Sequence, residues 1–385
     1  MSLVRVLGAV LGGVLVLATS VSVLRALVIP GGRAGWLTKF ADRLTGSIFR
    51  TICRPVRAYQ TRHRILGAHA PVMLATMLAL WIGLYILGYG LLLWPATHGL
   101  ARAVRESGSS LLTLGFASTH GTGPTVVDLM AAATGLVVVA LQIAYLPTLY
   151  SSFNRRETEV TLVGVRAGHP AWGPELLARN EMAVSSRNLP EFYAGWERWA
   201  ADVAESHSSY PILVRFRSPD PHSSWLIALL AVMDSAALMH SLSPQATVVQ
   251  ARLSLRMGID CLRQIARTID LPFEDDPRPD QGIALTRAEF DEGLARLASV
   301  GFVAERTPED AWKHFQGWRV NYESIAYRLA FATDAVPARW SGPRRFPGGD
   351  EDRRPFLNRT PEDPEGARPL PQPLAPYRPV EGSEE

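Results

Sequence analysis

Three long apolar stretches fill most of the first 150 residues, and the remainder of the chain alternates apolar and polar positions at helical spacing. The first stretch, residues 6–24, is about long enough to cross a bilayer. Arg5 before it and small residues at its end resemble a signal peptide, but a lone charge in front and a basic block behind favour a retained span. The second stretch, 71–93, holds no charge and ends at Trp94; the third, 125–150, holds only Asp128. Trp94, Tyr145 and Tyr150 fall where interfacial aromatics anchor a span.

Beyond residue 150 the pattern changes. Residues 159–165 are β-branched and read equally as a strand or a linker. A helix is expected from Leu189-Pro190 through Trp196 and Trp199 to about Glu205. Residues 224–240 are strongly apolar but only 17 long and contain Asp234, which suits a core helix better than a fourth span. Residues 245–269 are amphipathic. Thr286-x-x-Glu289 predicts a capping box. Thr307-Pro308-Glu309-Asp310 predicts another helix start, carrying Trp312, Phe315, Trp318, Tyr322, Tyr327 and Phe331 in one stripe, a pattern expected of a core or a subunit interface. Residues 337–385 hold eleven prolines and few large aliphatics, the composition of a disordered tail.

The expected fold is therefore all-α: three transmembrane helices with a re-entrant loop between the second and third, followed by an α-helical cytosolic domain. The expected segments are an N-terminal span (1–30), a basic segment (31–70), a region of two spans and the loop (71–150), a helical domain (151–336) and the tail (337–385).

Charge supplies the orientation. Residues 31–66 carry eight cations against Asp42 alone, net +7, and Arg155-Arg156 follow the third apolar stretch. The positive-inside rule then places 31–66 and 151–385 in the cytoplasm at the cell membrane. Residues 31–66 read equally as an interfacial helix on anionic lipids or as an ordinary positive-inside loop with helical content. The pI near 9.0 comes from these juxtamembrane cations, so a nucleic-acid partner is not expected. Cys53 and Cys261 are expected to be reduced; Cys53 is a candidate for lipidation, though a packed thiol is favoured.

The segment between the second and third apolar stretches carries the candidate chemistry. Residues 99–112 can form a short helix whose C-terminus favours a cation beyond it. Thr113 to Phe116 would follow as extended backbone, with Gly115 free to adopt conformations that a Cβ resists. Thr113-Leu114-Gly115-Phe116-Ala117-Ser118 in this setting resembles the pore module of the potassium-channel superfamily, with its Thr-Val-Gly-Tyr-Gly-Asp filter. The resemblance covers about a fifth of the chain. It implies a homotetramer around one axis, a backbone-carbonyl filter and a permeant monovalent cation, with potassium expected. It also implies an inner-helix hinge near Gly135 and a bend at Pro147; close helix packing explains Gly135 equally well.

Ala117 stands where that family has its second glycine, and Ser118 where it has an acid. A left-handed backbone is costly with a Cβ, so looser ion discrimination is expected. Asp128, near the outer end of the third stretch, reads as a functional acid or as a partner of Arg102 or Arg105. No HExxH, CxxC, P-loop or GxSxG pattern occurs, and no cofactor or enzymatic activity is expected. The rivals are a non-conducting membrane scaffold or sensor and, more remotely, a tethered enzyme with its site in 170–335.

Overall fold

The computed structural model describes residues 3–29, 35–182, 188–278 and 281–342. Pro30, Arg33 and residues 343–385 of the expected tail lie outside the described residues. Among those described, every regular element is a helix. The chain divides into two units: residues 1–54 with 67–151, and residues 55–66 with 152–385.

The first unit holds α1 (Leu3–Leu27), α2 (Trp36–Cys53), α4 (His69–Leu93), α5 (Leu100–Leu111) and most of α6 (Thr122–Ala167). Helix α1 lies against α4 through glycines. A Cβ on Gly12 would sit 2.5 Å from the Gly88 carbonyl oxygen, and one on Gly8 would sit 2.8 Å from the Trp94 ring. Lipid tails are as apolar as leucine, so helices in a bilayer associate through such close backbone approach and through polar contacts. Both kinds are present: Ser20 and Tyr85 hydroxyls are 3.0 Å apart, and Trp81 Nε1 donates to Ser22 Oγ at 3.2 Å.

Helix α2 buries Leu37, Ala41, Phe49 and Cys53. It leaves Trp36, Phe40, Leu44, Ile48 and Ile52 exposed, one per turn along the neighbouring stripe. The helical content expected of this basic segment is therefore present from Trp36 to Cys53. Burial also favours the packed-thiol reading of Cys53.

The second unit holds α3 (Tyr59–Gly67, up to Leu66), the end of α6, and α7 (Gly173–Met182), α8 (Leu189–Ser209), α9 (Trp225–Leu242), α10 (Val249–Thr268), α11 (Arg287–Ala298), α12 (Pro308–Arg319) and α13 (Glu323–Ala332). Helix α9 runs through the middle, apolar on every side because α7, α10, α12 and α13 all pack on it. Thr286 and Glu289 form the predicted capping box, and Thr307 caps α12 by accepting from the Asp310 amide.

Among the described residues, four stretches are long and apolar enough to cross a membrane: Leu3–Leu27, Tyr59–Ala96, Thr122–Ala167 and Trp225–Leu242. They give the chain the character of a membrane protein. The last is 94% buried inside the structure, against 28%, 28% and 17% for the others.

Four expectations change. Residues 159–165 are neither strand nor linker but the last turns of α6. The aromatic stripe belongs to two helices: the chain turns at Val320–Tyr322, which lets the Tyr322 hydroxyl donate to Asp234 Oδ1 at 2.8 Å. Phe315 and Tyr322 are core residues, while Phe331 is exposed. The ordered body continues past 337, because Trp340 is buried and its Nε1 donates to the Glu289 carbonyl at 3.1 Å. Lastly, Arg156 is no surface cation. It is fully buried, pairs with Glu157 at 2.8 Å and donates to the Leu213 and Phe216 carbonyls and to His207 Nε2. Burial, reinforced by Arg156, holds the His207 pKa well below its usual value, so that ring stays neutral.

Candidate pore loop

Helix α5 begins after Gly99 and ends at Leu111, as the sequence predicts. The sequence stops it in a defined way. The Leu114 amide donates to the Ser109 carbonyl at 2.8 Å and the Thr113 amide to the Ser110 carbonyl at 3.0 Å. That pair of bonds is a Schellman cap, whose turning residue takes the left-handed conformation. Here the turning residue is Thr113, at φ 56°. A β-branched residue there is uncommon and costs roughly 1–2 kcal/mol. Gly115 also has positive φ, at 72°, where it needs no strain.

This geometry corrects two expectations. The segment 113–116 is not uniformly extended, since Thr113 closes the helix. Ala117 does not adopt a left-handed backbone; the non-glycine residue that does is Thr113. The Cβ of Ala117 therefore meets no penalty of the expected kind, and looser discrimination cannot be argued from it.

Side chains of α5 hold the returning loop. Ser109 Oγ accepts from the amides of Phe116 and Ala117 at 2.9 and 3.1 Å. Glu106, almost fully buried, accepts the Thr119 amide at 2.6 Å and the Thr119 hydroxyl at 2.5 Å. Ser110 Oγ donates to Asp128 Oδ1 at 2.6 Å, tying α5 to the start of α6. Asp128 thus takes its hydrogen bond from Ser110 rather than from Arg102 or Arg105, and it lies near enough to Glu106 for the two carboxyls to interact. Arg105 instead lies over the Phe116 ring, 5.2 Å from its centroid. Residues 106, 109 and 110 share one helix face, so the spacing itself carried a signal of this bracing that the sequence reading did not use.

The far side of α5 is anchored too. Ser107 Oγ donates to the Ile86 carbonyl of α4 at 2.9 Å. A Cβ on Gly135 would lie 2.0 Å from the Leu111 carbonyl oxygen, so α6 approaches the end of α5 backbone to backbone. Close packing accounts for this glycine fully. The Tyr89 hydroxyl and Thr134 Oγ1, 2.7 Å apart, join α4 to α6 one residue away. Pro147 lies inside α6, which continues past it to Ala167.

The loop residues Thr113, Leu114, Gly115, Phe116 and Ser118 are exposed in the single chain, and Ala117 is half-buried. The structure thus gathers the six candidate filter residues on a loop fixed from behind, with Asp128 beside it. Gly135 lies behind the α5 terminus, and Pro147 is more than three helical turns further along α6. Compared with known protein families, curated proteins and solved structures, the chain matches none.

Proposed function

We propose that the chain is the pore-forming subunit of a homotetrameric cation channel with three transmembrane helices, α1, α4 and the apolar part of α6, and a re-entrant loop at 113–119. The permeant ion is a monovalent cation, with potassium expected, passing the backbone carbonyls of Thr113 to Phe116. One observation carries the reading. A short helix between two span-length helices ends in a tight reversal, and its own Ser109 and Glu106 hold a loop that remains exposed in one chain. Irregular backbone at membrane depth needs protein around it or a watery path beside it, and four copies about an axis provide both.

The exposed stripe of α2, with Lys39, Arg43 and Arg50 nearby in sequence, fits a helix lying on an anionic cytoplasmic leaflet. Residues 151–385 are then cytoplasmic. A cysteine placed at the exposed Val303 should resist an impermeant thiol reagent in intact cells; rapid labelling reverses the topology.

One observation favours the scaffold reading instead. Thr113 serves as a helix cap, which removes a residue from any extended carbonyl ladder. Flux decides between the two. Purified full-length protein in liposomes should pass potassium down its gradient and lose the current in Gly115→Ala. Silence of the wild type across voltage and pH establishes the scaffold. A monomer or dimer as the largest species in detergent removes the tetramer.

A further inference from the structure

Helix α9 starts inside the second unit with its first turn nearly out of reach of solvent. Trp225, Leu226 and Ile227 are at most 4% exposed. The opening amides of a helix have no partner within it, and a serine at the N-cap normally supplies one. Ser224 holds that position in extended conformation, yet its side chain makes no capping bond. Among the described residues nothing else accepts from the Trp225, Leu226 and Ile227 amides. Ser223, Ser224 and Trp225 line a small half-open cleft, together with His63, Arg217, Ser218 and Thr333.

Two further groups in this cleft ask for an acceptor. Ser218 is 4% exposed and its hydroxyl has no hydrogen-bond partner. Arg217 is half-buried, and its guanidinium donates only to neutral groups: His63 Nδ1 at 3.1 Å, the Thr333 carbonyl at 2.7 Å, and the Tyr59 hydroxyl and Asp334 carbonyl at 2.8 Å. No carboxylate pairs with it among the described residues. One N–H of its Nη1 is left over by this count. His63 accepts from Arg217 at Nδ1 and so is a neutral ring that donates from Nε2 to the Ser218 carbonyl at 2.9 Å. The acids nearby are engaged elsewhere: the Asp334 carboxylate is held by both ends of the Arg62 guanidinium, and Asp220 by the His222 amide and ring with His169 at 3.9 Å.

We propose that this cleft binds a small oxyanion of the phosphate class, held by the α9 amides, the Ser218 hydroxyl and Arg217. An unpaired cation, an unsatisfied buried hydroxyl and the positive end of an 18-residue helix converge there, and each lacks the same thing: a compact acceptor with several oxygens. The phosphate can be free in solution or belong to a lipid headgroup. The claim stands apart from the channel reading.

The test uses the full chain in phosphatidylcholine nanodiscs. In one arm inorganic phosphate is titrated at constant ionic strength, with chloride as control. In the other the discs contain phosphatidic acid and no free phosphate. Binding is read by calorimetry for the soluble ion and by the unfolding temperature in both arms. A rise with free phosphate assigns a soluble ligand, and a rise only with phosphatidic acid assigns a headgroup; either supports the site. Ser218→Ala, which breaks no existing bond, should keep the unliganded unfolding temperature and weaken binding about tenfold, as loss of one hydrogen bond to a charged group requires. Ser224→Asp, which supplies a carboxylate to the same amides, should raise the unliganded unfolding temperature and abolish the response. No rise in either arm, or an equal rise in both variants and the wild type, overturns the proposal.

Discussion

Helices α6 and α9 are both apolar enough to cross a membrane, with mean hydropathies of 2.1 and 1.6 over their most apolar windows, yet live in opposite surroundings. Only 17% of the α6 window is buried, whereas 94% of the α9 window is. The difference lies in what covers them. Helix α9 is wrapped by amphipathic neighbours and carries Asp234, which Arg319 and Tyr322 satisfy from α12 and the following turn. Helix α6 presents Leu129, Leu136 and Ile143 largely exposed among the described residues. Apolarity sets the cost of exposure to water; the neighbouring sequence decides whether protein or lipid removes it.

The contrast extends to how each unit is fastened. Fully buried arginines, Arg156 and Arg319, anchor the second unit, whereas close glycine contacts join α1 to α4 and α5 to α6 in the first. Removing the charge should have the largest effect. Arg319→Met leaves Asp234 and Glu323 buried without their cation and should destabilise the protein by about 3–5 kcal/mol. Unfolding followed by tryptophan fluorescence in the full chain checks this, and a loss below about 1 kcal/mol would dissolve the contrast.

Adding a side chain is the matching experiment in the first unit. Gly135→Ala meets the Leu111 carbonyl and should cost about 1–3 kcal/mol or more, because backbone cannot swing away. Gly83→Ala, where a Cβ meets nothing, should be neutral or stabilising by up to about 1 kcal/mol. Equal behaviour of the two alanines in a thermal melt would show that α5 does not rest on α6.

Thr113→Gly should stabilise by about 1 kcal/mol by relieving the left-handed turn. A loss of stability would mean that the threonine side chain supports the loop more than its backbone strains it.

The smallest effect is confined to acid. Burial alone would raise the pKa of Glu175, but hydrogen bonds from Arg296 and Arg179 outweigh it and hold the pKa below 4.5. A lowered folded-state pKa contributes stability that is present above the unfolded value and lost as pH falls through the folded one. The melting temperature should therefore drop more steeply below pH 4.5 in the wild type than in Glu175→Gln; parallel slopes would remove Glu175 from the account.

Much of the architecture was legible because it is local. The limits of α5, the Thr286–Glu289 box, the Thr307 cap and the core character of 224–240 follow from periodicity and capping chemistry within a few residues. What escaped depends on partners distant in sequence. Arg156 reads as a juxtamembrane cation until Leu213, Phe216 and His207 close over it. The helix break at Val320–Tyr322 answers to Asp234, almost ninety residues earlier. At the loop, the six residues could be picked out by spacing, but which of them turns left-handed was misassigned. A glycine-based expectation favoured position 117, whereas the cap geometry of α5 selected Thr113.

The glycine seam between α1 and α4 also constrains the order of events during synthesis. Gly8 and Gly12 are made before Gly88, so in the proposed topology α1 waits in the bilayer for the surface it fits. About 66 residues separate the end of α1 from the end of α4, which at ribosomal speed is roughly 3–13 s. During that interval a Gly8-x-x-x-Gly12 face is open to any other small-residue helix in the membrane, including a second nascent copy of itself. Polysomes that translate this message side by side would then bring chains together through α1 before α4 and α5 exist.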